Sequence, residues 1–186
     1  MTSETIDVDI IKLVDHDFQS CDGCGRCRQI GSCFHDAQFN NVYGRMVSAD
    51  AAFIVAAHYA PIPSKLCILL AKIEQIAFLP RFTQKDARSP LHGKPVGIIA
   101  HGGGTEEMMF RYEALVLNTI ANALSWPVEM NIIKDPMSSA NGVVFPVAKV
   151  DRSSESDFPI HTYDWGLIRR RAEPMIRAVL DASRWT

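Results

Sequence analysis

The stretch "KPVGIIAHGGGTEE", residues 94–107, decides the fold class of this chain of 186 residues. Its first part, 94–101, is a continuous apolar run of strand length, which is typical of a strand covered on both faces. Three glycines follow, and apolar residues at helical spacing then predict a helix over 105–124. A buried strand, a tight turn and a helix form the repeating unit of a parallel α/β sheet.

The same order of elements recurs along the chain. Strands are predicted at 6–13, 51–57 and 127–134, and helices at 36–48, 64–79 and 164–183. Asp36 is the expected cap of its helix. The segment from Asp135 to His161 is predicted to be a long loop that carries function or covers a site. These elements predict an α/β fold with a parallel sheet and right-handed crossovers, in a single domain over residues 1–186.

Composition excludes several classes of function. Hydrophobic residues make up 47% and charged residues 22% of the chain, as in globular proteins. The net charge of -2 argues against nucleic acid or an anionic membrane as a partner. Residues 1–17 lack the pattern of a signal peptide, and no apolar run reaches the roughly 18 residues of a membrane span. We therefore expect a cytoplasmic protein.

The most specific motif is "CDGCGRCRQIGSC", residues 21–33, which we call the cysteine loop. Its cysteines follow the spacing C-x2-C-x2-C-x5-C; they are Cys21, Cys24, Cys27 and Cys33. Compact spacing favours an iron–sulfur cluster over structural zinc, although zinc or a metal-free thiol loop stays open. Gly23, Gly25 and Gly31 would let the backbone wrap tightly. Cys67 is predicted to be an inert core residue on the apolar face of a helix.

Two further loops follow predicted strands, at 57–64 and 100–107. Loops at the carboxyl ends of parallel strands meet at one edge, where ligands bind. Tyr59 could stack on a flat ligand, and the three glycines would allow close approach of a ligand to the backbone. Glu106 and Glu107 would repel an anion, so a neutral ring fits better than a phosphate. Hydrogen-bonding roles are expected for His58 and His101. A solvated basic face is expected from Arg169, Arg170, Arg171 and Arg177.

These motifs together resemble the iron–sulfur flavoproteins, a branch of the flavodoxin-like FMN reductases, over residues 6–134. The resemblance implies a flavodoxin-like three-layer sandwich with FMN at the sheet edge. It implies a [4Fe-4S] cluster on Cys21, Cys24, Cys27 and Cys33. It implies flavin contacts from His58, Tyr59, Ala60, Ser64, His101, Gly102, Gly103, Gly104 and Thr105. It also implies dimers or tetramers, and electron transfer from ferredoxin or NAD(P)H to an acceptor.

The chain departs from the family pattern at its start. Members begin with a further strand, a phosphate-binding loop and a helix, and relative to them this chain looks N-terminally truncated. The strand in question lies between the counterparts of 6–13 and 51–57, and its removal would separate them by about 10 Å instead of about 4.8 Å. Strand 6–13 could move to the centre, a partner subunit could fill the gap, or the chain could be a shortened version of a longer protein.

The function expected first is an FMN- and iron–sulfur-dependent oxidoreductase that relays electrons between a two-electron carrier and one-electron partners. No side chain is expected to act as a general base. One alternative is a flavodoxin-like interaction subunit that has lost FMN and binds a redox partner. Another is a flavin reductase without a cluster, whose thiols are bystanders.

Overall fold

The computed structural model of the chain describes residues 6–151 and 160–184. Strands and helices alternate through most of it. The elements are α1 (Cys27–Ile30), α2 (Ala37–Ser48), β1 (Ala52–Ala57), α3 (Ser64–Phe78), β2 (Pro95–His101), α4 (Met109–Tyr112), α5 (Asn118–Leu124), β3 (Asn131–Ile132), β4 (Val143–Phe145), β5 (Lys149–Asp151), β6 (Ile160–Thr162) and α6 (Trp165–Ser183).

The sheet is parallel and is centred on β2. Strand β1 runs along one side of β2 over its whole length, from the pair Ala52 and Val96 to the pair Ala57 and His101. The other side of β2 pairs first with β3 and then with β4, which lie end to end along it. The short strands β5 and β6 form a separate antiparallel pair. This architecture confirms the predicted α/β class with a parallel sheet, and it is consistent with a flavodoxin-like fold.

Alternating side chains of the sheet build two cores. Ile98 and Val144 belong to the larger core, which lies against helices α2, α3 and α5. Val143 and Phe145 point to the opposite face, where they pack with Met175 of α6. Because successive residues of a strand face opposite sides, the strands β2 and β4 contribute to both cores. The fold therefore has three layers, helices, sheet and helix.

Most predicted elements lie within one or two residues of their observed bounds. Helix α2 begins after Asp36, whose carboxylate accepts a hydrogen bond from the amide of Phe39 at 2.9 Å, as expected for the cap. The elements β1, α3, β2 and α6 match the predictions for 51–57, 64–79, 94–101 and 164–183. Long apolar runs and periodic apolar faces carry the strongest local signals, which explains this agreement.

The predicted strand at 6–13 is wrong. Residues 6–12 have no regular secondary structure, and a 3₁₀ turn follows at Leu13–Asp15. Ile6, Val8 and Ile10 are all more than half exposed. Among the described residues this segment pairs with no strand, and it does not occupy a central place in the sheet. An alternating pattern cannot make a strand without a neighbour to complete its hydrogen bonds.

Side-chain contacts hold this segment against the helices. The guanidinium of Arg45 donates to the carboxylate of Asp9 at 2.7 Å, and the ammonium of Lys65 donates to the carbonyl of Val14 at 2.9 Å. Strand β1 meanwhile pairs on one side only within the described residues, and its Phe53 and Val55 are 38% and 64% exposed. The β1 side of the sheet is therefore open and apolar.

The second half of the chain corrects three further predictions. The helix predicted over 105–124 is divided into a 3₁₀ turn at Glu106–Met108, then α4, a π-turn at Glu113–Leu117, and α5. The strand predicted at 127–134 is reduced to the two residues of β3. The loop predicted over 135–161 contains β4, β5 and the start of β6, while its residues 152–159 lie outside the described residues.

Helices long and apolar enough to cross a bilayer are not found in the described part of the chain.

Candidate functional site

The carboxyl ends of β1 and β2 bring the two predicted ligand loops together. The amide of His58 donates to the carbonyl of His101 at 2.8 Å, which extends the pairing of the two strands by one bond. The next turn contains a cis peptide between Ala60 and Pro61, and the amide of Tyr59 donates to the carbonyl of Pro61 at 3.1 Å. The ring of Tyr59 stays 70% exposed at this edge.

Tyr112 fills the space beneath the glycine loop. Its hydroxyl accepts a hydrogen bond from the amide of Gly104 at 2.8 Å, and its ring lies 5.4 Å from that of His58. A Cβ atom at Gly102 would lie 2.7 Å from the Tyr112 hydroxyl, and one at Gly104 would lie 2.6 Å from it. These two glycines therefore make room for Tyr112. Gly103, which lies between them, is exposed.

His101 forms the other half of this edge. Its Nδ1 lies 3.1 Å from the hydroxyl of Tyr163, a residue that enters from the segment before α6. Burial lowers the pKa of His101, so its imidazole is neutral at physiological pH. Burial, followed by the nearby Tyr112 and Tyr59, raises the pKa of Tyr163, which keeps its hydroxyl protonated. We call His58, Tyr59, His101, Tyr112 and Tyr163 the aromatic edge.

The remaining predicted contacts lie around the aromatic edge. Ala60, Ser64 and Thr105 are exposed there. The surface thus offers an aromatic ring, backbone amides and hydroxyls, which suit a flat ring with polar edges. Residues 58–64 and 101–107 contain no lysine or arginine and carry two glutamates. The chemistry of these loops suits a neutral flat ring better than a phosphate.

The cysteine loop lies at a second site, against helix α3. Cys21, Cys24, Cys27 and Cys33 all line one cavity of about 270 Å³. Helix α3 and the residue that follows it line the rest of the cavity wall, through Lys72, Gln75, Ile76 and Leu79. Gly23, Gly25 and Gly31 adopt φ values of 72°, 68° and 66°, the left-handed backbone that favours glycine. The loop therefore wraps around an open space that all four cysteines line.

The thiols are gathered around the cavity and are not packed together. The four ligands of a tetrahedral zinc–thiolate site would place sulfur atoms about 3.8 Å apart. Among the described residues, the group whose metal-ligating atoms all lie within 4.8 Å of one another is Asp22, Cys24 and His35. Burial, and then the neighbouring Cys21 and Cys24, raise the pKa of Cys27. The thiol of Cys27 is therefore protonated at neutral pH.

The family model for NADPH-dependent FMN reductase matches residues 1–145. The chain belongs to the NADPH-dependent FMN reductase family. No curated protein shows a significant similarity to the chain.

The matched residues include the cysteine loop and most of the aromatic edge. The family indicates a flavin-dependent oxidoreductase that binds FMN and uses NADPH. Tyr163 lies outside the matched residues, on the segment that leads into α6. One side of the aromatic edge thus comes from the part of the chain that the family model does not cover.

Sequence reasoning missed three residues of these sites. Tyr112 and Tyr163 are ordinary aromatics in the sequence, and nothing local indicates that their hydroxyls reach Gly104 and His101. Lys72 carried a signal, because it interrupts the apolar face of the predicted helix 64–79. A charged residue beside such a face needs a buried partner.

Two other predictions for the FMN reductase need correction. Cys67 is exposed and is not a core residue. Arg171 is not part of a solvated face, because its guanidinium lies 3.5 Å from the buried carboxylate of Asp135. Arg171 also lines a cavity of about 550 Å³ with Thr105 and Phe145. Arg177, in contrast, forms an exposed ion pair with Glu173, as expected for a solvated face.

Proposed function

We propose that this FMN reductase is an iron–sulfur flavoprotein, in which a [4Fe-4S] cluster on the cysteine loop exchanges single electrons with FMN at the aromatic edge. One observation carries the cluster. Four cysteines with compact spacing line a single cavity, and glycines with left-handed backbone shape the loop around it. The cluster's ligands are Cys21, Cys24, Cys27 and Cys33. Cysteine thiolates are the ligands that iron–sulfur clusters use in proteins.

The flavin role rests on family membership and on the chemistry of the aromatic edge. FMN supplies the ability to accept electrons in pairs or singly. Tyr59 would stack on the ring, and the amides and hydroxyl of Gly103 and Thr105 would hydrogen-bond its polar edge. Neutral His101, oriented by Tyr163, would present an uncharged polar group to the ring. The further contacts proposed are His58, Ala60, Ser64, Gly102 and Gly104.

The partners proposed for the protein are small or soluble redox carriers. NADPH is the reductant that the family indicates, and a reduced ferredoxin is a second candidate because a cluster accepts one electron at a time. We also propose a cytoplasmic location, where reduced thiols persist. A homo-oligomer, dimer or tetramer, is supported by the exposure of Phe53 and Val55 beside the unpaired side of β1.

Anaerobic purification followed by metal, sulfide and flavin analysis tests this function. We expect about four iron and four sulfide per chain, with flavin in addition. Cys27→Ser should lose the iron and the sulfide and should retain the flavin. Cys67→Ser is the matched control, because this thiol is exposed and lies outside the residues that line the cavity. It should keep both cofactors.

Each alternative predicts a different composition. Flavin without iron indicates a cluster-free flavin reductase. A protein that binds neither flavin nor iron indicates an interaction subunit. Zinc in place of iron, lost in His35→Ala, would assign the metal to the group of Asp22, Cys24 and His35. Any of these results overturns the iron–sulfur flavoprotein.

A further inference from the structure

A buried ion pair lies at the base of the cysteine loop. The ammonium of Lys72, on α3, lies 2.5 Å from the carboxylate of Asp36, and both side chains are only 3% exposed. It is the one ion pair between described residues in which both side chains are fully buried. Such a pair costs desolvation energy, and apolar residues of similar size are often as stable or more stable. Stability alone does not explain it.

The pair joins the two ends of the cysteine loop to α3. Asp36 follows the last cysteine closely, and its carboxylate also accepts a hydrogen bond from the amide of Gln19, just before the first cysteine, at 3.0 Å. The same carboxylate caps α2 through the amide of Phe39. Lys72 therefore meets a carboxylate that already closes the loop at its base.

Lys72 also lines the same cavity as the four cysteines. The carboxylate of Asp36 is engaged by three donors, Lys72 and the amides of Gln19 and Phe39. Other residues on the same wall are uncharged, namely Gln75, Ile76 and Leu79. Lys72 lines the cavity and Asp36 does not, so the positive end of the ion pair lies nearer to any occupant. This arrangement suits an occupant with negative charge, because desolvated charges interact strongly.

We propose that Lys72 is the charge-compensating residue for the iron–sulfur cluster, held in place by Asp36. The inference rests on the proposed function, because it needs a cluster in the cavity. Four thiolates give a [4Fe-4S] cluster a net negative charge, and one-electron reduction adds one more. A nearby buried cation stabilises the reduced form more than the oxidised form. Net charge and nearby groups are known determinants of cluster potential.

The test is an EPR-monitored redox titration of the complete anaerobic protein and four variants, with dithionite as the reductant. Lys72→Met and Lys72→Gln remove the charge, and glutamine can still donate a hydrogen bond to Asp36. Lys72→Arg keeps the charge. Lys65→Met is the matched control on the same helix, because Lys65 contacts the carbonyls of Val14 and His16 and does not line the cavity.

We expect the cluster midpoint potential to shift to more negative values in Lys72→Met and Lys72→Gln. Lys72→Arg and Lys65→Met should stay close to the wild-type potential. A full iron and sulfide content with an unchanged potential in Lys72→Gln overturns the proposal. The proposal is also overturned if, in iron-free protein, Lys72→Met and Lys72→Gln lose the helical circular dichroism signal while Lys72→Arg remains folded. The ion pair would then serve the fold alone.

These results separate the inference from the function on which it rests. Wild-type protein without iron and sulfide refutes the cluster, and the role of Lys72 with it. A wild-type cluster whose potential does not depend on the charge at residue 72 refutes the role of Lys72 and leaves the proposed function intact.

Discussion

The aromatic edge and the cysteine loop differ in what holds them in shape. The aromatic edge is completed by the protein itself, because Tyr112 fills the space under the glycine loop and bonds to Gly104. The cysteine loop instead surrounds a cavity of about 270 Å³ and is tied down mainly at its base. One site is preformed, and the other leaves room for an occupant that must supply contacts of its own.

The base of the cysteine loop is held by a helix cap, an ion pair and two hydrogen bonds from one asparagine side chain. Asp36 bonds to Gln19, Phe39 and Lys72, as described above. The side chain of Asn40 accepts from the amide of Cys33 at 2.8 Å and donates to its carbonyl at 2.7 Å. The loop beyond has mostly local hydrogen bonds, such as that from the amide of Gly31 to the carbonyl of Cys27. Its stability therefore depends on few residues.

Asp36→Ala should have the largest effect on the cysteine loop. It removes the cap of α2 and leaves the ammonium of Lys72 buried without its carboxylate, so we expect a loss of about 3–5 kcal/mol in the free energy of unfolding. Urea denaturation at neutral pH measures it. The control is Asp9→Ala, which removes an ion pair with Arg45 that is largely exposed, and it should change the urea midpoint far less.

The free energy of unfolding should also depend on pH through the carboxyl group of Asp36. Burial raises the pKa of Asp36, but hydrogen bonds from Lys72 and from the amides of Phe39 and Gln19 outweigh it and hold that pKa below its ordinary value. A carboxylate of this kind stabilises the fold above about pH 4, and its contribution is lost as the pH falls through the folded pKa.

Equal urea midpoints for Asp36→Ala and Asp9→Ala would show that the ion pair of Asp36 and Lys72 does not hold the cysteine loop.

Gly102→Ala should have a smaller effect, at the aromatic edge. The added Cβ would overlap Tyr112, so we expect a loss of about 1–3 kcal/mol in the free energy of unfolding from overpacking. Thermal or urea denaturation measures it. Gly44→Ala is the matched control, because a Cβ there meets nothing within 4 Å in helix α2 and should be neutral or stabilising. A Gly102→Ala protein as stable as wild type would mean that Tyr112 does not fill this space.

The sequence predicts the preformed parts of the molecule better than the parts that depend on distant contacts. The strand at 94–101 and the helix at 64–79 are visible because their apolar patterns are long and local. The predicted strand at 6–13 has an equally regular pattern, yet it forms no strand and its residues are mostly exposed. A strand needs a partner for its backbone groups, and an alternating pattern says nothing about where that partner lies.

The two sites show the same limit. The spacing of the four cysteines is sufficient to predict that they share one site, because residues so close together in a short loop lie near one another in space. The packing of Tyr112 against Gly102, and the hydrogen bond between Tyr163 and His101, join residues 10 and 62 positions apart. Such contacts depend on how α4 is oriented relative to the glycine loop and on the approach of the segment before α6 to the edge of the sheet. Neither has a local sequence signal.

Flavin binding at the aromatic edge is the central claim, and a fluorescence titration of FMN with the purified protein tests it most directly. We predict saturable quenching of the flavin with one FMN bound per chain. Tyr59→Ala should weaken binding roughly twofold to tenfold through the loss of ring stacking, with little change in stability because the side chain is 70% exposed. Flavin fluorescence that does not change with added protein would contradict the account.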